Sequence, residues 1–138
     1  MTLIHASCVA IEGRGVLITG PSGAGKSDLV LRLIDRGATL VSDDQVAVEA
    51  RAGRLFASAP TSISGKMEVR GIGIIAMAHT SPMPVALLID LAARPERMPE
   101  PAVHALCGID IPMVALAGFE ASAAIKVHLA LQQWALPA

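Results

Sequence analysis

The stretch Gly-Pro-Ser-Gly-Ala-Gly-Lys-Ser at residues 20–27 constrains the fold more than any other part of this 138-residue chain. It follows a run of β-forming residues at 15–19 and precedes apolar residues at helical spacing that begin at Leu29. In a strand–loop–helix context, Gly-x-x-x-x-Gly-Lys-Ser is a P-loop, whose backbone N–H groups and helix N-terminus bind phosphate. The sequence therefore predicts a nucleoside triphosphate site. The alternative is a glycine-rich turn that matches by chance.

Every residue of this loop is predicted to line the cofactor site, with ATP and Mg²⁺ as the cofactors. The set is Gly20, Pro21, Ser22, Gly23, Ala24, Gly25, Lys26 and Ser27. The lysine ammonium would reach the β- and γ-phosphates, and the serine hydroxyl would ligate the metal ion that bridges phosphate oxygens.

Strands outnumber helices in the remaining pattern. β-Forming runs are predicted at residues 3–11, 15–19, 39–41, 46–48, 54–58, 66–75 and 85–91, and near 109 and 113–116. Turns are predicted at Gly13 and at residues 52–53, and residues 60–65 and 92–101 are predicted to be exposed loops that handle substrates. This is a strand-rich α/β chain, unlike the regular alternation of an ordinary P-loop kinase.

Two helices are predicted. The first starts at Lys26 and ends at Gly37, where a helix C-terminal glycine belongs. The second covers residues 121–134 and is expected to direct Ile125, Leu129 and Leu131 toward the core.

Composition narrows the class of protein. With 53% hydrophobic residues, the chain can bury the core of one domain, residues 1–138, without disulfide or metal staples. Its 11 basic and 12 acidic side chains nearly cancel, which argues against nucleic acid or a membrane surface as a partner. Cys8 and Cys107 are predicted to be buried free thiols, and no apolar run reaches the length of a membrane span. We expect a cytoplasmic protein.

Asp43 and Asp44 follow a short β run, so they lie near a strand end. One carboxylate there could accept the proton of an attacking hydroxyl while the other, Asp44, neighbours the metal ion. The alternative is a solvated or turn-capping pair.

Three further side chains are candidates. Glu68 lies in a strand-like segment beside glycines and is a possible second magnesium ligand, or else it pairs at the rim with Arg70 or Lys66. Arg97 could clamp a phosphoryl group, or it is solvated. His5 is placed on the strand that pairs with the P-loop strand and, taken alone, has a structural role.

Four segments together are similar to one family, the C-terminal catalytic domain of the HPr kinase/phosphorylases. They are the P-loop region at 13–28, the acidic segment at 40–46, the stretch Met-Glu-Val-Arg-Gly-Ile-Gly-Ile-Ile at 67–75, and Gly-Ile-Asp-Ile-Pro at 108–112. A P-loop alone discriminates weakly, whereas Glu-Val-Arg-Gly-Ile-Gly-Ile after an Asp-Asp pair is a narrow signal.

The resemblance implies transfer of phosphate from ATP to a regulatory serine of the phosphocarrier protein HPr. It also implies, in many members, the reverse reaction with inorganic phosphate, which releases pyrophosphate. A fold resembling phosphoenolpyruvate carboxykinase is implied, as is a homo-oligomer, a hexamer in the family. Many members carry an additional N-terminal domain, so this chain resembles the short form described for α-proteobacteria.

The resemblance also suggests a role for each candidate. Asp43 matches the aspartate that deprotonates the serine and acts as general acid in reverse, and His5 matches the histidine beside it. Glu68 matches a magnesium-associated glutamate, and Arg97 matches the arginine of the phosphate-dependent reaction. Lys26 and Ser27 match the phosphate lysine and the metal-binding serine.

Two positions depart from the family pattern. Asp28 stands where the longer proteins usually have Glu, and Ala-Gly-Phe-Glu at 117–120 replaces Pro-Gly-Arg-Asn before the closing helix.

Two other functions stay open. A small-molecule kinase is disfavoured because so few helices leave little room for a lid and a base-binding site. A nucleotide-sensing module without catalysis is the second.

Overall fold

The computed structural model describes all residues from Met1 to Ala138 and contains eleven strands and two α-helices. The strands are β1 (Thr2–Ile4), β2 (Ala6–Ile11), β3 (Arg14–Thr19), β4 (Thr39–Ser42), β5 (Val46–Arg51), β6 (Arg54–Ser58), β7 (Lys66–Val69), β8 (Gly73–Ala76), β9 (Met83–Asp90), β10 (Ala102–Leu106) and β11 (Ile109–Ala115). The helices are α1 (Lys26–Asp35) and α2 (Ala123–Trp134), and a 3₁₀ turn covers Thr61–Ile63. The predicted strand-rich α/β fold, with one helix after the glycine loop and a closing helix, is confirmed.

Nine strands form one sheet in which β9 is the central element. The main order is β1-β5-β6-β9-β3-β2-β4, while β11 pairs with β9 beside β6 and carries β10 at its outer edge. Strand β9 is parallel to β3 and β11 and antiparallel to β6. Strands β7 and β8 form a separate hairpin. The long apolar run predicted around residues 85–91 is therefore the strand on which the sheet is built.

The strand directions bring four carboxyl ends to one edge of the sheet. Strand β2 is antiparallel to both β3 and β4, so β3 and β4 run the same way. Strands β9 and β11 are parallel to β3 and end at the same level. The P-loop, the Asp43–Asp44 pair and the loop after β9 therefore all leave the sheet at this edge, the usual place for ligands in parallel α/β sheets.

Side chains fill both faces of the central strands. One face packs under α1 and α2 in a cluster of 19 buried residues, and the opposite face forms a second cluster of 12. Strand β2 is buried at every position and β3 at its four central ones. Continuous burial explains why these strands are mostly apolar instead of alternating.

Glycine turns fix the hairpins. At Glu12–Gly13, Ala52–Gly53 and Cys107–Gly108, both residues have positive φ and connect strands paired on either side of the turn. This is the geometry of a tight two-residue hairpin. The turns predicted at Gly13 and 52–53 are confirmed.

The predicted end of α1 is also confirmed. Gly37 has φ 105°, its N–H donates to the carbonyl of Ile34, and the N–H of Ala38 donates to the carbonyl of Leu33. These paired bonds satisfy the last carbonyls of the helix.

The prediction for the closing helix was wrong about its buried face. Ile125 and Leu129 are 46% and 57% exposed, although Leu131 is buried as expected. The other buried residues of α2 are Ala123, Ala124, Val127 and Ala130. Mostly small side chains face inward because α2 lies close to α1 and β9, where larger ones would not fit.

Three smaller expectations also need correction. His5 lies at the bend between β1 and β2, not on the strand that pairs with β3. Cys107 is exposed in a turn, whereas Cys8 is buried. Strand β10 was missed because His104 interrupts its short apolar stretch and its residues are almost all exposed. Neither helix combines the length and apolar character that crossing a membrane requires.

The buried thiol of Cys8 predicts a loss of stability in alkali. Burial raises its pKa from 9.0 to about 12, so the folded protein keeps the thiol proton that the unfolded chain loses above pH 9. The free energy of unfolding should therefore fall between pH 9 and pH 12, by about 1.4 kcal/mol per pH unit from this group.

Denaturant unfolding of the parent and of Cys8→Ala across this range measures the effect. The chain has no tyrosine to titrate there. The variant should start less stable but show a flatter pH profile, and parallel profiles would contradict the assignment.

Candidate active site

The loop between β3 and α1 has the backbone that a P-loop requires. Gly20, Gly23 and Gly25 have φ values of 152°, 87° and 97°, a region that side chains rarely allow. At Gly20 a Cβ would also lie 3.1 Å from the Cβ atoms of Ala24 and Leu91. The motif glycines are therefore needed both for conformation and for close packing.

Lys26 is held inside this loop. Its side chain is only 6% exposed, and its ammonium donates to the carbonyls of Gly20 (2.6 Å) and Pro21 (3.1 Å). No carboxylate pairs with it. A buried cation without a countercharge is costly, so the loop favours an anion beside Lys26.

Asp43 connects the P-loop helix to the sheet. It is 7% exposed, and its Oδ1 accepts hydrogen bonds from the Ser27 hydroxyl (3.0 Å) and the Ser7 hydroxyl (2.9 Å). The Ser7 hydroxyl in turn accepts from the backbone N–H of Asp44 (3.1 Å), which has φ 68°. The carboxylate is thus fixed in position between β2, α1 and the end of β4.

Ser7 is a site residue that the sequence interpretation missed. It is completely buried on β2, where every neighbouring position is buried and apolar. A hydroxyl in such a strand needs a hydrogen-bond partner. The presence of one serine in the otherwise apolar segment 6–11 was the sequence signal that could have identified this residue.

His5 and Asp44 form a second, more exposed pair. The Nε2 of His5 lies 2.9 Å from Oδ1 of Asp44, and the two side chains are 50% and 71% exposed. The structure thus brings together four of the predicted residues, which are His5, Ser27, Asp43 and Asp44. The hydroxyl of Ser27 bonds to Asp43 and not to Asp44.

The other two candidates stand apart. Glu68 lies exposed on β7, forms no ion pair with Lys66 or Arg70, and bonds to no P-loop side chain. Arg97 lies exposed in the irregular 92–101 loop, which leaves β9 at the site edge, and it makes no hydrogen bond. Both residues were predicted from the sequence, but neither lies at the site in this structure.

The donor set suits a magnesium ion held jointly with a nucleotide. No three histidine, cysteine or acidic side chains converge on a metal position. Mg²⁺ binds through few protein oxygens and takes its other ligands from phosphates and water. The adjacent oxygens of Ser27 and Asp43 match that requirement.

A cleft of about 260 Å³ opens beside the His5–Asp44 pair. Its lining residues are Ile4, His5, Thr19, Leu88, Asp90, His104, Leu106 and Met113. It therefore lies at the carboxyl ends of β3 and β9. A larger depression of about 440 Å³, on the outer side of α1, contains none of the site residues.

Together, the sheet edge, the glycine loop and the Asp43 carboxylate hydrogen-bonded to Ser27 have the arrangement expected of a phosphate-binding site in a strand-rich α/β protein. The sequence model of the family described as HPr Serine kinase C-terminal domain matches residues 1–82. The chain belongs to this family.

Named relatives agree with the assignment. The chain is 50% identical over 74 residues to an HPr kinase/phosphorylase of Clostridium tetani, a match covering 54% of this chain and 24% of the relative. It is 51% identical over 73 residues to one of Limosilactobacillus reuteri, covering 52% and 23%. The chain thus matches about a quarter of the length of these relatives.

A solved structure extends the similarity along the chain. The HPr(Ser) kinase/phosphatase of Coxiella burnetii superposes with a TM-score of 0.83 at 29% identity, covering 96% of this chain and 95% of that one.

Substituting Ser7 should destabilise the site. In Ser7→Ala, the buried carboxylate of Asp43 and the backbone N–H of Asp44 each lose a hydrogen-bond partner, at a cost of about 1–3 kcal/mol. Denaturant unfolding measures this change in the free energy of unfolding. Ser122→Ala is the matched control, because the Ser122 hydroxyl makes no capping bond to α2. Equal stability of the two variants would contradict the network.

Proposed function

We propose that this chain is an ATP-dependent protein serine kinase that phosphorylates a regulatory serine of an HPr-type phosphocarrier protein. Family membership supports the class of reaction, and the proposal follows the printed names of the relatives. The observation that carries it in this chain is the contact between Ser27 and Asp43. This contact supports a role for the Asp43 carboxylate beside the transferred phosphoryl group.

The hydrogen bonds of Asp43 suit a general base. Both hydroxyls donate to Oδ1, and no protein group donates to Oδ2. Oδ2 would accept the proton of the attacking serine while Ser7 and Ser27 hold the carboxylate in place. Lys26 would hold the β- and γ-phosphates, and bound Mg²⁺ would neutralise charge on the phosphate oxygens.

The remaining residues would act around this centre. His5 would orient Asp44 through their 2.9 Å contact, and Asp44 would neighbour the metal ion. Glu68 would add a second magnesium contact and Arg97 would clamp phosphate, each brought to the site when the protein substrate binds. In the reverse reaction, inorganic phosphate would attack the phosphorus of phosphoserine, and the bond from that phosphorus to the serine oxygen would break. Protonated Asp43 would give its proton to the leaving serine oxygen as general acid, and pyrophosphate would be released.

The wider expectations belong to the same proposal. The enzyme would act in the cytoplasm as a homo-oligomer, a hexamer as in the family, and would regulate the phosphotransferase system and carbon metabolism.

The two alternative functions predict different results. A nucleotide-sensing module would bind ATP without transfer to any acceptor. A small-molecule kinase would consume ATP in a metabolite panel without a protein acceptor.

Asp43→Asn tests the proposal directly. The amide keeps the shape and the Oδ1 acceptor but cannot take a proton, so phosphorylation of HPr should fall by about 100-fold or more. Labelled ATP with HPr as acceptor measures the rate, and ATP binding should persist. Asp35→Asn, an exposed change at the end of α1, is the matched control. No serine phosphate on HPr, with the variant no worse than the parent, would refute the assignment.

Arg97→Ala should separate the two directions. Its guanidinium would bind the attacking phosphate only in the reverse reaction, so loss should lower phosphate-dependent dephosphorylation about tenfold more than phosphorylation. Paired forward and reverse assays measure the ratio, with Arg94→Ala in the same exposed loop as the control. An equal loss in both directions would argue against this role.

A further inference from the structure

The ring of Phe119 lies directly on the P-loop. A Cβ placed on Gly25 would be 3.2 Å from ring atoms Cε1 and Cζ of Phe119, so the ring packs closely over the side-chain position of the residue that precedes Lys26. Phe119 is nevertheless 69% exposed. Contact with Gly25 therefore uses only a small part of the ring, and most of this apolar surface faces solvent beside the predicted triphosphate site.

The turn that carries the ring is firmly anchored. The N–H of Glu120 donates to the carbonyl of Ala117 (3.2 Å), closing a tight turn with Phe119 at its tip. The Arg32 guanidinium donates to the carbonyls of Gly118 and Glu120, and it also pairs with Asp28 at 3.0 Å. Arg32 thus ties the 117–120 turn to α1, and Asp28, one helical turn earlier, holds the same guanidinium.

Gly118 makes this close approach possible. A Cβ at Gly118 would lie 2.6 Å from the carbonyl oxygen of Ala24, a distance that no side chain could occupy. The turn therefore packs against the P-loop backbone itself. The position of the ring relative to the loop is fixed by packing and by hydrogen bonds.

The other aromatic residues are used elsewhere. The chain has two phenylalanines, one tryptophan and no tyrosine. Phe56 on β6 is covered by the guanidinium groups of Arg51 and Arg54 at 4.5 and 5.8 Å, and Trp134 packs against the helix-side core. Phe119 is therefore the one aromatic face presented to solvent at the P-loop.

We propose that Phe119 is the stacking platform for the nucleobase of the bound nucleoside triphosphate. The inference deepens the proposed function and rests on it for the triphosphate in the P-loop. A base attached to that triphosphate must lie beside the loop, and stacking on an exposed ring buries apolar surface of both partners. The ring offers no hydrogen bond, so it should accept adenine and guanine alike.

Inorganic tripolyphosphate isolates the contribution of the base, because it carries the phosphates alone. Phe119→Ala should weaken binding of ATP and GTP about tenfold or more and leave tripolyphosphate within about twofold. Titration calorimetry with Mg²⁺ gives the three constants. If the ring only supports the loop at Gly25, all three ligands would weaken together, and that result would overturn the proposal, as would unchanged ATP binding.

A conservative variant adds a spectroscopic readout. Phe119→Trp should restore ATP binding, and the introduced indole should be quenched by ATP but not by tripolyphosphate. Leu129→Ala, an exposed change on α2, is the control for general surface effects. Quenching by both ligands would contradict stacking.

The parent protein separates the two proposals. If it binds ATP and phosphorylates HPr but Phe119→Ala changes nothing, only the platform is wrong. If the parent binds neither ATP nor tripolyphosphate, the proposed function itself fails and the platform fails with it.

Discussion

The pair of hydrogen bonds that Asp43 accepts from Ser7 and Ser27 is the interaction on which this structure depends. A carboxylate that is 7% exposed would be expensive without donors. The two hydroxyls come from different elements, β2 and α1, so satisfying the charge also fixes the P-loop helix against the sheet. The same bonds leave Oδ2 available for a proton. Stability and the proposed chemistry thus depend on one side chain.

The sheet makes this meeting possible. Strand β2 runs antiparallel to both β3 and β4, so it presents Ser7 between the P-loop and the acidic pair. Strand β9 pairs in parallel with β3 on the side away from β2, and the loop that carries Arg97 follows β9. The separate β7–β8 hairpin carries Glu68 outside this arrangement. One edge of the sheet therefore collects some of the functional residues, and two remain on projecting segments.

Local patterns explain most of what the sequence could predict. The P-loop, the two-residue turns and the Gly37 helix end all arise from residues within a few positions of each other. The buried face of α2 could not be predicted from local pattern. Packing against α1 and β9 determines which residues are buried, and these are mostly small ones instead of the larger apolar residues.

The site shows the same limit. Asp43 and Ser27 were named separately from their motifs, but their contact depends on strand pairing that links residues far apart in the chain. Ser7 was missed because a single serine in an apolar strand has no motif of its own. Phe119 appeared only as a departure from the family segment, and its position on Gly25 required the packing of the 117–120 turn.

The most direct test of the central claim is a double-mutant cycle on magnesium-dependent ATP binding, with Ser27→Ala, Asp43→Ala and the two combined. If the two side chains act as one unit at the metal end of the P-loop, the double variant should lose much less affinity than the sum of the single losses, with a coupling of about 0.5–3 kcal/mol. Losses that simply add would show that Asp43 and Ser27 act independently, and would contradict the account.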